Sequence, residues 1–220
     1  MNRYTAKPAA RMFDTSAAFD GGLRLSLTGL VSGTKVATKL GWRLVEAITV
    51  GDEVLTFDEG LKPVVRVQSE VVTVAQMAVN PENWPVYVPA GAIGNQTELW
   101  LLPEQLVVIE NDAAEAVTGD AFAPIPAQAL VGLLGIERRR PEMDIQQITL
   151  FFEEEQIVFS NSGAMFHCPA EADIVIDLFR IQERRYYLRP ALPAVRHIAN
   201  SIAKEFGAAL APAHRIAAVA

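Results

Sequence analysis

The chain has 220 residues, 50% of them apolar and 20% charged, with 26 acidic against 19 basic side chains and a formal net charge of −7. That apolar share supports a sizeable core and excludes wholesale disorder, and the length suits one domain with an appended segment. A single cysteine excludes an intrachain disulfide and any structural zinc site that needs several thiolates, and three histidines are a short supply for acid–base chemistry.

Met1 to about Gly22 is weakly patterned and reads as a loosely ordered leader over 1–22. It has basic residues but no apolar run after them, so no secretory signal is expected. No uncharged stretch is long enough to span a bilayer. The expectation is a cytoplasmic protein, or one secreted without a leader. From Leu23, the run LRLSLTGLV alternates apolar and polar residues, as a strand does. Lys35–Leu40 and Glu53–Phe57 read as short strands, with Gly51-Asp52 and Glu59-Gly60 as turns. Val64–Val74 is a longer β-rich run opened by Pro63.

Asn80–Pro85 is a loop, followed by strands at Val86–Val88, Glu98–Leu102 and Leu106–Ile109. Glu110–Asp120 reads as an acidic loop. Ile145–Phe152 and Gln156–Phe159 flank a run of three glutamates and predict a hairpin. After Pro190, Leu192, Val195, Ile198, Ala199, Ile202 and Phe206 fall at helical spacing until Gly207. This predicts an amphipathic helix over about 192–206, packed on the β domain or docked on a partner. From Arg180 onward there are seven basic and two acidic residues, so the C-terminal extension, 171–220, is basic beside an acidic β domain, 23–170. The acidic balance argues against broad nucleic-acid binding. A protein partner or self-association through the basic helix is the expected interaction.

The familiar catalytic motifs are absent: no phosphate loop, GxGxxG, HExxH, GxSxG or EF-hand loop. His167 and Cys168 are adjacent, and neighbours on a strand point apart, so they do not read as a nucleophile and its base. His197 and His214 have no Asp or Cys at ligand spacing, so no metal and no cofactor is expected. Asn95-Gln96-Thr97 fits the glycosylation pattern.

The segment GLVSGTKVATKLGWRLVEAITVGDEVLTFDEGLKP, Gly29 to Pro63, carries a more specific signal. Gly33-Thr34, Val36-Ala37-Thr38, Gly41, Val45-Glu46, Gly51-Asp52 and Val54-Leu55 fall in the order and spacing of a known opening block. It closely resembles that of the Hint domain, shared by hedgehog autoprocessing domains and inteins, and most of all its bacterial branch. Val86–Gly94, Leu99–Ile109, Ile125–Leu130 and Ile148–Phe159 resemble later stretches of the family. The resemblance implies a mainly β, compact fold of many short strands, here with a C-terminal amphipathic helix.

The resemblance also implies a chemistry. Working members begin with an acyl shift, in which a Cys or Ser side chain attacks the carbonyl just before it. A His in the second block, often with a Ser or Thr three residues earlier, strains or protonates the departing amide nitrogen. Counting back from Gly33-Thr34, the nucleophile position is Gly29. The Ser/Thr position is Leu102 and the His position is Gln105. Glycine has no nucleophile, and a carboxamide carries no proton at neutral pH. The expected centre, Gly29, Thr34, Leu102 and Gln105, is therefore degenerate, with no catalytic residue expected. The resulting expectation is a silent Hint fold acting as a scaffold or interaction module. The alternative is autoprocessing by a non-standard nucleophile, with Thr28 and Ser32 as the nearby hydroxyls. What fills the space between Gly29 and Gln105 separates the two. A plug by Leu102 and Leu106 favours silence, and an open polar pocket favours chemistry or binding.

Overall fold

The computed structural model describes residues 26–171 and 192–210. Residues 1–25, which hold the expected leader and the start of the Leu23 run, lie outside the described residues. Among the described residues the chain is built from short antiparallel strands in three sheets. In chain order they are β1 (Leu30–Val31), β2 (Lys35–Thr38), β3 (Gly41–Leu44), β4 (Glu53–Thr56), β5 (Gly60–Pro63) and β6 (Arg66–Val72). Then follow β7 (Val86–Val88), β8 (Leu99–Leu101), β9 (Leu106–Glu110), β10 (Phe122–Pro126) and β11 (Glu137–Arg138). β12 (Ile145–Phe151), β13 (Gln156–Phe159) and β14 (Met165–Cys168) complete the set.

The largest sheet runs β10-β9-β14-β13-β4-β2-β3, with β5 also on β4. A second runs β1-β12-β6 and a third β11-β7-β8. The large sheet curls strongly: Phe57, at the end of β4, meets Phe122 of β10 with ring centroids 4.7 Å apart. The main core fills the space so enclosed, with Val36, Val54, Leu150, Phe152, Val158 and Phe166 all but inaccessible to solvent. This is the mainly β architecture that the spacing of turns predicts.

Several expectations are corrected. Ile145–Phe152 and Gln156–Phe159 do not form a hairpin together. β12 pairs with β6 and β1, and β13 pairs with β14 and β4, so the glutamate turn carries the chain from one sheet to another. Both segments are strands as expected, but a strand signal does not name a partner. The acidic stretch 110–120 is not simply a loop, because it contains helix α2 (Asp112–Thr118). The Asn111 side chain accepts from Ala113 N–H, and Gly119, at φ 81°, ends the helix through its N–H to the Glu115 carbonyl. Capping and alanine content outweigh the acidic composition. The β-rich run from Val64 to Val74 ends at Val72, since Thr73 and Gln76 form a reciprocal capping box that starts helix α1 (Val74–Ala78). In the described part of the LRLSLTGLV run, Ser26–Thr28 are not in a strand, whereas Leu30 and Val31 are.

The C-terminal helix, α3 (Leu192–Leu210), passes through Gly207 and is longer than expected. It packs on α2 and on the 3-10 turn Ala127–Leu130. Val195, Ile198, Ala199 and Ile202 join the main core, while Arg196, His197 and Lys204 face solvent. No helix of the described residues is long and apolar enough to cross a membrane.

Candidate functional site

Gly29 leads into β1, whose first residue, Leu30, pairs with Ile148 of β12. This register lays Gly29 over the Ile148–Thr149 backbone. Its φ is +100°, and a Cβ there would stand 2.8 Å from Thr149 Oγ1 and 3.0 Å from the Ile148 carbonyl oxygen. Both the backbone conformation and the close approach select glycine.

Gln105 ends the turn that enters β9, with its N–H bonded to the Leu102 carbonyl at 3.0 Å. The turn is stitched to the chain before β1. Glu104 N–H donates to the Leu27 carbonyl at 2.9 Å, and Gly29 N–H donates to Gln105 Oε1 at 2.8 Å. The carboxamide cannot be turned round, because Gln105 Nε2 donates to the carbonyls of Leu106, at 2.9 Å, and His167, at 3.2 Å. Gln105 is buried with all its polar atoms bonded, since its own carbonyl accepts from Ala127 N–H. The structure thus joins two of the four predicted positions, across 76 residues of sequence.

The other two lie apart from that bond. Leu102 is fully buried in a second, smaller cluster with Leu27, Val72, Met77 and Ile145, so it does not plug the space beside Gly29. Thr34 sits in the turn after β1, bonded through its backbone to Val31 and Val45, on the rim of a groove. Two hollows flank the Gly29–Gln105 bond. One, of about 350 Å³, is lined by Thr28, Leu106, Thr149 and Cys168 among others. The other, of about 1290 Å³, runs past Thr34, Trp100, Arg139 and Ser162. The space between the two positions is therefore neither an apolar plug nor an open pocket, but a direct hydrogen bond with a cavity on either side.

The remaining candidates are held in structural contacts. Cys168 is buried and belongs to the main core, and burial pushes its thiol up to about 12, so it is not a thiolate near neutrality. His167 Nε2 lies 3.2 Å from Glu155 Oε2, both side chains being largely buried. Burial would push the Glu46 carboxyl up, but the bonds it accepts from Gly33 N–H, from its own N–H and from the Ser32 hydroxyl hold it below its usual range. Asn95 is buried, and its Nδ2 donates to the carbonyls of Pro89 and Thr97, so the glycosylation pattern there is a loop-forming carboxamide. Among the described residues no group of three or more His, Cys, Asp or Glu side chains is placed to hold a metal ion. Sequence reasoning did not anticipate Thr149, which guards Gly29, or the His167 carbonyl, which anchors Gln105. Neither has a local signal, because both contacts depend on strand pairing.

A family model described as Hint domain matches residues 28–166. Among solved structures, the chain is similar to a bacterial intein-like domain from Clostridium thermocellum, at 11% identity and a TM-score of 0.45, covering 64% of this chain and 99% of that one. It is also similar to a splice-inactive variant of the AceL NrdHF class 3 split intein, at 17% identity and a TM-score of 0.43, covering 66% and 99%. For the MchDnaB-1 intein the identity is 16% and the TM-score 0.37, covering 62% and 98%. With TM-scores this low, none of the three bears on function. No curated protein matches the chain. The family model spans more than half of the chain, from the residue before Gly29 to β14, and takes in the strands that carry both Gly29 and Gln105; the chain belongs to the Hint domain family.

Proposed function

We propose that this Hint domain no longer cleaves itself and serves as a scaffold or protein-interaction module. The observation that carries this reading is the 2.8 Å bond from Gly29 N–H to Gln105 Oε1. In the family's acyl shift a side chain attacks the carbonyl carbon preceding it, the C–N bond breaks, and the departing nitrogen gains a proton. Gly29 offers no side chain to attack. Gln105, where the resemblance places the histidine, presents an acceptor to that nitrogen, and its own N–H groups are spent on two carbonyls. It holds the amide in place and has no proton to give. The fit at Gly29 supports the same reading, since a nucleophile's Cβ would meet Thr149 and the Ile148 carbonyl.

A second reading, autoprocessing by a non-standard nucleophile, has one observation in its favour. The Ser32 hydroxyl hydrogen-bonds the Glu46 carboxylate, which resembles a nucleophile beside a base. The bonds that hold the Glu46 pKa down also make it a weak base. Intact-mass measurement of the full-length chain, with and without hydroxylamine or thiol, separates the readings. The expected result is one full-length species under all conditions. A fragment whose new N-terminus is Thr28, Gly29 or Ser32 would overturn the proposal.

A further inference from the structure

The smaller hollow beside the Gly29–Gln105 bond has the size and lining of a ligand cavity. Its volume is about 350 Å³. An apolar cavity of about 150 Å³ takes up a benzene ring, so this one has room for a ring and a short chain. Leu106, Ile148, Leu150 and Pro169 give it apolar walls. Thr28 and Thr149 add hydroxyls, and Glu104 is the one Asp, Glu, Lys or Arg among its lining residues. Glu104 is exposed and marks the mouth, whereas Ile148, Leu150 and Cys168 are buried and make the inner wall.

The polar groups around the cavity select what enters it. The N–H groups at its Gly29–Gln105 end are already spent. Gly29 N–H donates to Gln105 Oε1, Glu104 N–H to the Leu27 carbonyl and Gln105 N–H to the Leu102 carbonyl. Gln105 Nε2 serves the carbonyls of Leu106 and His167. No lysine or arginine among the described residues lines the cavity. Burial keeps Cys168 a neutral thiol, and the His167 ring has its Nε2 3.2 Å from Glu155 Oε2. An anionic ligand would find no cation here and would meet the Glu104 carboxylate. A ligand that only accepts hydrogen bonds would find hydroxyls alone. A cationic donor meets opposite charge at the mouth and hydroxyl acceptors beside it. We infer that this cavity is a binding site for a small primary amine with an apolar body, the ammonium on Glu104 and the body against Leu106 and Leu150. This goes beyond the silent-centre reading and does not rest on it.

Titration of the full chain with phenethylamine tests it, read by calorimetry and by NMR shifts of the backbone amides. Phenethyl alcohol and phenylpropionate are the comparison probes, similar in size but with a neutral and an anionic head. The expected result is saturable one-to-one binding of the amine, with the largest shifts at residues that line the cavity. The alcohol should bind about threefold more weakly or worse, and the acid more weakly still. Glu104→Gln, a change at an exposed position, should bring the amine level with the alcohol while leaving the circular dichroism of the parent unchanged. The three probes are compared on the parent chain, so the inference stays falsifiable whatever the variant does. Absence of saturable amine binding would overturn it. So would an acid that binds as well as the amine, shifts that fall away from the cavity, or a folded Glu104→Gln chain that holds the amine as tightly as the parent. Self-cleavage would show in the intact mass of the same samples and would bear on the silent centre, not on this site.

Discussion

The Gly29–Gln105 centre and the outer face of β2–β5 are opposites in how their surface is used. At the centre, each polar atom of Gln105 is bonded, and Gly29 leaves no room for a side chain. On the outer face, Trp42, Leu44, Leu55 and Leu61 stand in solvent. In the first region two positions far apart in sequence are tied by a direct hydrogen bond between two cavities, and in the second apolar side chains are exposed where a solvated sheet is normally polar. The contrast teaches that a centre without the family's nucleophile need not be an empty one: Gly29 and Gln105 are held in structural contacts, while the exposed apolar side chains lie on a different surface.

The largest effect that would break this contrast is removal of α3. Truncation after Arg189 strips Val195, Ile198, Ala199 and Ile202 from the core. At about 1.5–3 kcal/mol for each large buried side chain, the loss approaches the whole stability of an ordinary domain. The expected outcome is a chain without a cooperative thermal transition by circular dichroism. A folded, stable truncation would mean that α3 is an accessory free to dock elsewhere.

Next in size is Gly29→Cys, which restores the family's nucleophile in name. The positive φ and the contacts at 2.8 and 3.0 Å should cost about 2–4 kcal/mol in urea unfolding. A neutral substitution would show that the centre is merely vacant. Gln105→Ala should cost about 1–3 kcal/mol, because it leaves the buried Gly29 N–H and two carbonyls without their partner.

These residues also show what the sequence made legible. Turn pairs such as Gly33-Thr34 and Gly51-Asp52, and the strands between them, are local signals and were readable. So were the apolar positions of α3, whose spacing names its buried side without naming its length. Pairing was not readable. Whether β12 meets β13 or β6 depends on contacts between residues far apart in sequence, and a period of two is satisfied either way. The centre was half legible for the same reason. The chain shows a glycine and a glutamine at the positions in question. Only the fold shows that they bond, and that Thr149 stands over the glycine.

The smaller effects sharpen the open side of the comparison. Trp42→Asp should change monomer stability by no more than about 0.5 kcal/mol in urea unfolding, as substitutions at exposed positions do. A large loss of stability would instead mean that Trp42 is a core residue of the monomer. Smallest is a pH effect at the rim of the centre. The Glu46 pKa is lowered in the folded chain, so its contribution is full above the ordinary glutamate range and fades as pH falls through the lower folded value. Glu46→Gln should flatten that acid limb of a stability–pH profile. An unchanged limb would show that its bonds to Gly33 and Ser32 contribute nothing.

The closed centre is tested most directly by hydrogen exchange at one amide, that of Gly29, followed by NMR. The account predicts slow exchange, comparable with the β12 ladder, and a large loss of protection in Gln105→Ala. Fast exchange in the parent chain, or protection that Gln105→Ala leaves intact, would contradict it.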